Sequence, residues 1–276
     1  MDSTKIAFIG AGNMGRALIG GLIGSGVPRD AIRVGEAIEA CRTTLARELD
    51  VHASPENHAA VRDADVIVLA VKPQDAAEAM RPLASQLEAR RPLVLSVAAG
   101  VRLRSLAAWC GRGVPVVRAM PNRPALVGAG VTGAFAPAEV SAGHRALAER
   151  VLRAVGGVVW VAREEDLDTV TALSGSGPAY FFLLAELMEQ AAVRLGLDPV
   201  AARTLAVETL HGSGRLAHAS DGDLSRLRAE VTSKGGTTEA ALRVFASADL
   251  SGTVARALAA ATERGRELAD EFGARR

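Results

Sequence analysis

Residues 5–15, "KIAFIGAGNMG", decide the fold. The short apolar run at 5–10 predicts a strand, and the amphipathic residues that follow predict a helix. Gly10, Gly12 and Gly15 form the spacing G-x-G-x-x-G between them. Such glycines allow a tight turn, close approach of the backbone to a pyrophosphate and close helix–strand packing, while the helix N-terminus faces the phosphates. The segment therefore predicts a dinucleotide-binding turn, with an ordinary glycine-rich βα turn as the alternative.

The alternation of strand and helix continues to about residue 163. The further predicted strands are "AIRVG" (31–35), "DVIVLAV" (65–71), "PLVLSVA" (92–98), "VPVVRAM" (114–120) and "GVVWVA" (157–162). Helices are predicted between them at 38–50, 75–90 and 138–155. Several of these strands are almost continuously apolar, which is typical of parallel strands buried on both faces. The pattern predicts a Rossmann-like, doubly wound α/β domain over residues 1–163.

The second part of the chain, 164–276, is predicted to be an all-helical domain. Pro178 and the Asp198 cap are placed where helices begin. The predicted helices cover 177–196, 198–220, 223–230, 236–248 and 250–271. Alanines in the first of them would let neighbouring helices approach closely, so this domain is also predicted to form a dimer surface.

The composition excludes several function classes. The chain has 276 residues, with 32 basic and 31 acidic side chains, and 49% of its residues are apolar. This balance gives no electrostatic reason to expect nucleic acid or an anionic membrane as a partner. No apolar run reaches the roughly 18–20 residues that span a bilayer. With two cysteines outside any CxxC pair and no apparent signal peptide, we expect a cytoplasmic protein with reduced thiols.

Glu36 follows the second predicted strand. A carboxylate at this position accepts a hydrogen bond from the ribose 2′-hydroxyl of NAD and repels the 2′-phosphate of NADP. Arg33 and Arg42 could nevertheless accommodate such a phosphate. A solvated surface glutamate is the alternative, so the sequence leaves the choice of cofactor open.

Two loops follow later strands of the predicted sheet. Ligands bind outside the carboxyl ends of strands in open α/β sheets. Lys72 and Pro73 in "AVKPQ" (70–74) could meet a phosphate or ribose, and prolines bracket Asn122 in "RAMPNRPALVGAG" (118–130). A solvated lysine and a stiff surface loop are the structural alternatives.

Two segments in the second half combine glycines with hydroxyl side chains. "ALSGSGPAYFF" (172–182) is either an interdomain turn or a place of close backbone approach. "VTSKGGTTEAAL" (231–242) leads into a helix near Thr237, whose free N–H groups suit a carboxylate. Helix capping explains the latter segment equally well. The sequence contains no metal-ligand spacing among its five histidines, no G-x-S-x-G elbow and no obvious general acid.

Taken together, "FIGAGNMGRALIGGL", "LAVKPQ", "RAMPNRPALVGAG", "ALSGSGPAYFF" and "VTSKGGTTEAAL" resemble the pyrroline-5-carboxylate reductase family, in order and along essentially the whole chain. The combination of SGSGPA with TS-x-GGTT is much more specific than the glycine loop. The resemblance implies a Rossmann-like domain, a helical dimerisation domain and an active site where subunits meet. It also implies intertwined homodimers, which can assemble further in this family.

The resemblance also assigns residues. Those implied to hold NADPH or NADH are Ile9, Gly10, Ala11, Gly12, Asn13, Met14, Asn57, Ala70, Val71, Lys72, Pro73, Met120, Pro121 and Asn122, in addition to Glu36. Those implied to bind the substrate are Ser233, Gly235, Gly236, Thr237 and Thr238. The junction at 174–178 is implied to bring a helical wall close to the nicotinamide.

The implied activity is NAD(P)H-dependent reduction of the cyclic imine 1-pyrroline-5-carboxylate to L-proline, the last step of proline biosynthesis. Thr238 is implied to orient the ring nitrogen, and no metal is expected. The family usually has threonine where Arg123 stands and often proline where Lys234 stands, and it leans toward NADPH. A β-hydroxyacid dehydrogenase would need a lysine soon after Gly177, which this sequence lacks. A non-catalytic dinucleotide sensor is the alternative from another class.

Overall fold

The computed structural model describes residues 4–274. Across this range the strands form a single sheet of eight strands in the order β3-β2-β1-β4-β5-β6-β7-β8. The strands are β1 Ile6–Ile9, β2 Ile32–Gly35, β3 His52–Ser54, β4 Val66–Leu69, β5 Leu93–Ser96, β6 Val116–Met120, β7 Gly130–Phe135 and β8 Gly156–Trp160. All neighbours pair in parallel except β6 and β7, which are antiparallel. Strands β1 to β6 therefore end at one edge of the sheet, where ligands of such folds bind.

Helices connect and cover the strands. The α-helices up to the end of the sheet region are α1 Asn13–Gly24, α2 Glu39–Leu49, α3 Asn57–Val61, α4 Ala76–Met80, α5 Ala84–Arg90, α6 Leu103–Cys110, α7 Ala142–Arg153 and α8 Asp166–Val170. Short 3₁₀ turns occupy Arg29–Ala31, Pro73–Asp75, Arg81–Leu83 and Arg123–Val127, and a π-helical turn occupies Thr171–Gly175. The later helices are α9 Gly177–Arg194, α10 Pro199–Ala219, α11 Leu224–Glu230, α12 Thr237–Ser247 and α13 Leu250–Ala274.

The core lies on both faces of the sheet. Successive side chains of a strand point to opposite faces, and in β1 all four are buried. Phe8 lies in a cluster with Leu18 of α1 and Leu152 of α7, whereas Ile9 lies in a second cluster with Leu106 of α6. Burial of both faces explains why the central strands are almost continuously apolar, and it confirms the predicted Rossmann-like doubly wound sheet.

Every predicted strand is present, but the prediction missed β3 and β7. The first has only three residues and no buried side chain, so it carries no apolar signal. The second, "GVTGAF", contains two glycines and directly follows the proline-containing loop, with which it shares Gly130. Strand β7 is extended because it hydrogen-bonds to β6 and β8, and its own composition does not indicate a strand.

The described chain forms two compact units. The first runs to Gly175 and resumes at Ala261, and the second is Ser176–Ala260. The predicted division between residues 163 and 164 does not coincide with these units, because α8, the π-helical turn and the end of α13 group with the sheet. Helix α13 thus contributes to both units.

The second unit buries very few side chains. Between residues 176 and 260 only Gly177 and Ala202 are buried. Phe181 and Phe182 of α9 are 61% and 59% exposed. Exposed aromatic and aliphatic side chains in such numbers are typical of a surface that binds another protein.

Candidate active site

The glycine-rich turn joins β1 to α1 and leaves open space at its centre. Gly10 has φ of +85°, and a Cβ there would lie 2.6 Å from Val71 Cγ1. A Cβ on Gly15 would lie 2.8 Å from the Gly10 carbonyl oxygen. At Gly12, in contrast, no heavy atom lies within 4 Å of the Cβ position. Two glycines therefore allow the turn to close, and the third leaves its backbone accessible from outside.

The N-terminus of α1 fits the pyrophosphate of a dinucleotide. Gly12 is the cap residue, and no side chain caps the helix there. The first turn has no acidic residue that would repel an anion. Uncapped N–H groups at the positive end of a helix of this length attract phosphate oxygens.

Glu36 is a buried carboxylate that holds the glycine-rich turn in place. Its Oε2 accepts a hydrogen bond from the Ala11 N–H at 2.8 Å, and its Oε1 accepts one from the Ile38 N–H at 2.9 Å. The residue is 9% exposed, so the alternative of a solvated surface glutamate is wrong. Asn57, the first residue of α3, packs against Gly35, the last residue of β2. Glu36 thus links β2 directly to the candidate phosphate site.

The two arginines near β2 have different positions. Arg42 donates from Nη1 to the carbonyl oxygens of Glu36 and Ala37, at 2.8 and 2.7 Å. Arg33 donates to the carbonyl oxygens of Asp30 and Ile32. Arg33 therefore binds backbone at the beginning of β2, whereas the dinucleotide is expected at the carboxyl ends of the strands. Of the two arginines, Arg42 is the one near Glu36.

The segment after β4 begins beside the glycine-rich turn. The Ala70 N–H donates to the Ile9 carbonyl at 2.8 Å. Lys72 is exposed, and Pro73 begins the 3₁₀ turn that follows. The segment therefore lies beside the glycine-rich turn, and its contribution to cofactor binding stays a prediction.

Asn122 connects the Met-Pro-Asn loop to the Ser-Gly-Ser-Gly segment. Its Nδ2 donates to the Ser174 carbonyl at 3.1 Å, and its Oδ1 accepts from the Val131 N–H at 2.9 Å. A Cβ on Gly175 would lie 2.8 Å from Met120 Cε. A side chain at Gly175 would therefore require the end of the Met120 side chain to move.

A buried ionic cluster lies next to these residues and was missed by sequence reasoning. Arg118 of β6 contacts Glu164 at 2.9 Å, and Arg102 contacts Asp168 at 2.7 Å. Glu164 also accepts a hydrogen bond from the Leu103 N–H. Burial lowers the pKa of the Arg118 guanidinium, and the carboxylate of Glu164 opposes that shift. The only sequence signal was an arginine within the apolar run "VPVVRAM".

The loop before α12 is held by its own side chains. The Gly235 N–H donates to Glu239 Oε2 at 2.7 Å, and the Gly236 N–H donates to the Ser233 carbonyl at 3.0 Å. No side chain caps α12 itself at Gly236. The loop is therefore fixed by its own hydrogen bonds, while the first-turn N–H groups of α12 have no side-chain cap and the Glu239 carboxylate of that turn faces the Gly235 N–H.

Thr237 and Thr238 are the first two residues of α12. Thr237 is exposed, and Thr238 is partly buried. All predicted substrate-binding residues lie in the second compact unit, and all predicted cofactor-binding residues lie in the first. Within residues 4–274 no group of three or more His, Cys, Asp or Glu side chains is placed to hold a metal ion. No helix of that range combines the length and the apolarity needed to cross a membrane.

Comparison with known proteins identifies relatives along the whole chain. The pyrroline-5-carboxylate reductase of Pseudomonas aeruginosa is 44% identical over 273 residues, which cover 99% of this chain and 100% of that protein. The enzyme of the same name from Haemophilus influenzae is 42% identical over 273 residues, which also cover 99% of this chain and 100% of that protein. This chain belongs to the pyrroline-5-carboxylate reductase family. The resemblance inferred from five short segments is thereby confirmed.

Solved structures agree with this family assignment. A pyrroline-5-carboxylate reductase from Coxiella burnetii has a TM-score of 0.93 and 40% identity, covering 97% of this chain and 99% of that chain. The Plasmodium falciparum pyrroline carboxylate reductase, solved with NADP bound, has a TM-score of 0.83 and 27% identity, covering 98% and 99%.

Two family models match separate parts of the chain. The model described as NADP oxidoreductase, coenzyme F420-dependent, matches residues 5–100, and that of pyrroline-5-carboxylate reductase dimerisation matches 164–268. The second match supports a homo-oligomer. Arg123 and Lys234, where this chain departs from the usual family pattern, are both exposed.

Proposed function

We propose that this chain reduces 1-pyrroline-5-carboxylate to L-proline with NADPH or NADH, the last step of proline biosynthesis. The observation that carries the proposal is the 44% identity to a pyrroline-5-carboxylate reductase along the full length of both proteins. Fold alone never fixes function, and the match covers 99% of this chain, a span that takes in both the glycine-rich turn and the loop before α12.

The first compact unit binds the cofactor. The turn at Gly10–Gly15 and the uncapped N-terminus of α1 receive the pyrophosphate, and Glu36 lies where an adenosine ribose is expected. Lys72 and Pro73 follow the next strand, and Met120 to Asn122 form the wall beside the nicotinamide. When bound, the dinucleotide supplies the hydride, and the protein contributes binding and orientation.

The loop before α12 binds the substrate. The substrate carboxylate accepts hydrogen bonds from the first-turn N–H groups of α12, which no side chain caps, while the Glu239 carboxylate of that turn is engaged by the Gly235 N–H. The Thr238 hydroxyl oxygen in this turn accepts the hydrogen bond that orients the protonated ring nitrogen. The Glu239 carboxylate accepts a hydrogen bond from the N–H of Gly235, whose φ is +73°. This bond fixes the loop in the shape that presents Thr238 and the first-turn N–H groups to the substrate.

Positioning accounts for most of the catalysis. The imine must be protonated to accept a hydride, and solvent supplies that proton before the substrate binds. No protein acid is then required, in agreement with the absence of an obvious one in the sequence. Holding the two reactants in a reactive geometry provides the rate enhancement.

We further propose that the chain works in the cytoplasm as a homodimer, which can assemble into larger homo-oligomers. The match to the dimerisation model and the exposed apolar side chains of α9 support the pairing. Its partners in catalysis are small molecules only.

The decisive experiment follows the loss of nicotinamide absorbance with purified protein and pyrroline-5-carboxylate, with L-proline measured as the product. Turnover with either cofactor supports the proposal. A folded protein that binds dinucleotides and yet shows no turnover with either cofactor overturns it, and favours a dinucleotide sensor.

A further inference from the structure

Glu36 is a buried acidic side chain in direct contact with the glycine-rich turn. We propose that its fixed carboxylate makes this chain selective for NADH over NADPH. The inference rests on the dinucleotide-binding part of the proposed function and goes beyond it, because relatives of this family include a protein solved with NADP bound.

The carboxylate of Glu36 cannot easily move aside. Its two oxygens accept hydrogen bonds from Ala11 within the turn and from Ile38 after β2, each shorter than 3.0 Å. The backbone of Glu36 is held as well, since its N–H donates to the Ser54 carbonyl of β3 at 2.9 Å. Rotating the side chain outward would break both carboxylate bonds and leave a buried N–H of Ala11 without its acceptor.

The remaining capacity of this carboxylate suits a hydroxyl and not a phosphate. An ionised carboxylate has about four acceptor positions, and the two backbone bonds occupy two of them. A ribose 2′-hydroxyl has a proton to donate to a free position. A 2′-phosphate carries negative charge at neutral pH and would be repelled by a negative group in this partly buried place.

The nearby cations do not reverse this preference. Arg42 is the basic side chain beside Glu36, and its Nη1 is engaged by two backbone carbonyl oxygens that shape the loop after β2. Arg33 binds carbonyl oxygens at the beginning of the strand. Lys72 follows β4, which β1 separates from β2 in the sheet. A 2′-phosphate would therefore meet the Glu36 carboxylate with Arg42, already held at its Nη1, as the nearby counter-charge.

The test measures binding without catalysis. Isothermal titration calorimetry of the full chain compares ADP-ribose with 2′-phospho-ADP-ribose, which differ only in the 2′-phosphate. We expect ADP-ribose to bind more tightly by on the order of tenfold to a hundredfold. Equal affinities, or tighter binding of the phosphorylated probe, overturn the inference.

Two variants identify the responsible charge. Glu36→Gln should bring the ratio of the two affinities close to one, mainly by strengthening binding of the phosphorylated probe. Glu39→Gln removes the same charge three residues later, from an exposed side chain at the start of α2, and should leave the ratio unchanged. An equal effect of both variants would mean that general charge, and not Glu36, sets the preference. If Glu36→Gln fails to fold, the ratio of the two affinities in the unaltered chain still tests whether the site prefers ADP-ribose.

The result separates this inference from the proposed function. If both probes bind with equal strength, the dinucleotide site stands and the role of Glu36 is wrong. If neither probe binds, the dinucleotide site itself is wrong, and the inference fails with it. Steady-state rates with NADH and NADPH should follow the same order as the two affinities.

Discussion

At the scale of single residues, Thr238 tests the substrate site. Valine has nearly the shape of threonine and lacks the hydroxyl, so Thr238→Val removes the proposed hydrogen bond to the ring nitrogen. We expect kcat/KM for pyrroline-5-carboxylate to fall roughly tenfold to a hundredfold, the effect of losing one such bond in the transition state. Steady-state kinetics at saturating cofactor measure the change.

The control for this prediction keeps the hydroxyl. Thr238→Ser should retain most of the activity, and the affinity of either variant for ADP-ribose should match that of the unaltered chain. Full activity in Thr238→Val would remove Thr238 from the mechanism. A parallel loss of ADP-ribose binding would show that the substitution disturbs more than the substrate site.

The two cysteines should differ in reactivity. Burial raises the pKa of the Cys110 thiol to about 12, whereas Cys41 on α2 is partly exposed. The thiolate is the reactive form, so Cys110 is protected both by its pKa and by lack of access. Iodoacetamide at pH 8 should modify Cys41 alone in the native protein and both thiols in urea. Mass spectrometry of peptides reads the sites, and modification of native Cys110 would contradict the expectation.

At the scale of elements, the Arg118–Glu164 pair ties β6 to the segment before α8. Glu164→Gln leaves the charge of Arg118 buried without its counter-ion, and removal of one partner from a buried pair is strongly destabilising. Because Glu164 is 19% exposed, we expect a loss near the lower end of the usual range, about 3 kcal/mol in the free energy of unfolding. Urea denaturation at a fixed protein concentration measures it.

Two comparisons test that explanation. Arg118→Met combined with Glu164→Gln should recover much of the loss, since no buried charge then remains unpaired. Asp63→Asn removes the partner of Arg90 in a pair whose side chains are half exposed, and should leave the transition unchanged. A double variant as unstable as Glu164→Gln would mean that the loss comes from packing or hydrogen bonds rather than from charge.

Elements differ in how far the sequence predicts them. Buried strands such as β4 and β5 are apolar on both faces, so composition alone indicates them. Strand β7 depends on its neighbours, and "GVTGAF" has too little apolar content to be recognised without them. Helices with clear starts, such as α10 after the Asp198 cap, were predicted to within one residue.

The candidate site was predictable where backbone chemistry is specific. The glycine-rich turn and the carboxyl edge follow from local spacing, and both are present in the structure. The bonds of Asn122 to Ser174 and Val131 join residues up to 52 positions apart, and no local pattern encodes such distances. The roles of Thr238 and of the loop before it stay predictions that depend on the family.

At the scale of the whole molecule, the second compact unit, residues 176–260, cannot be stable while its apolar side chains face water. A unit of this length in which only Gly177 and Ala202 are buried has almost no core of its own. Each large apolar side chain left in water forgoes about 1.5–3 kcal/mol of burial. Another protein surface must cover α9, and the match of residues 164–268 to a dimerisation model points to a second copy of the chain.

That argument gives a prediction about assembly. Phe181 and Phe182 are both more than half exposed, and their side chains leave α9 about 100° apart, so together they sample two sides of the helix. Light scattering after size exclusion should give at least twice the chain mass for the unaltered protein. In the double variant Phe181→Glu, Phe182→Glu the mass should fall to that of one chain, and Tm should fall too, because charges replace the apolar contacts that cover the second unit.

The control for this prediction is Val159→Glu, at a 55% exposed position of β8, which should change neither the mass nor Tm. A monomeric unaltered protein, or an unchanged mass in the double variant, would show that α9 is not the surface that joins the copies.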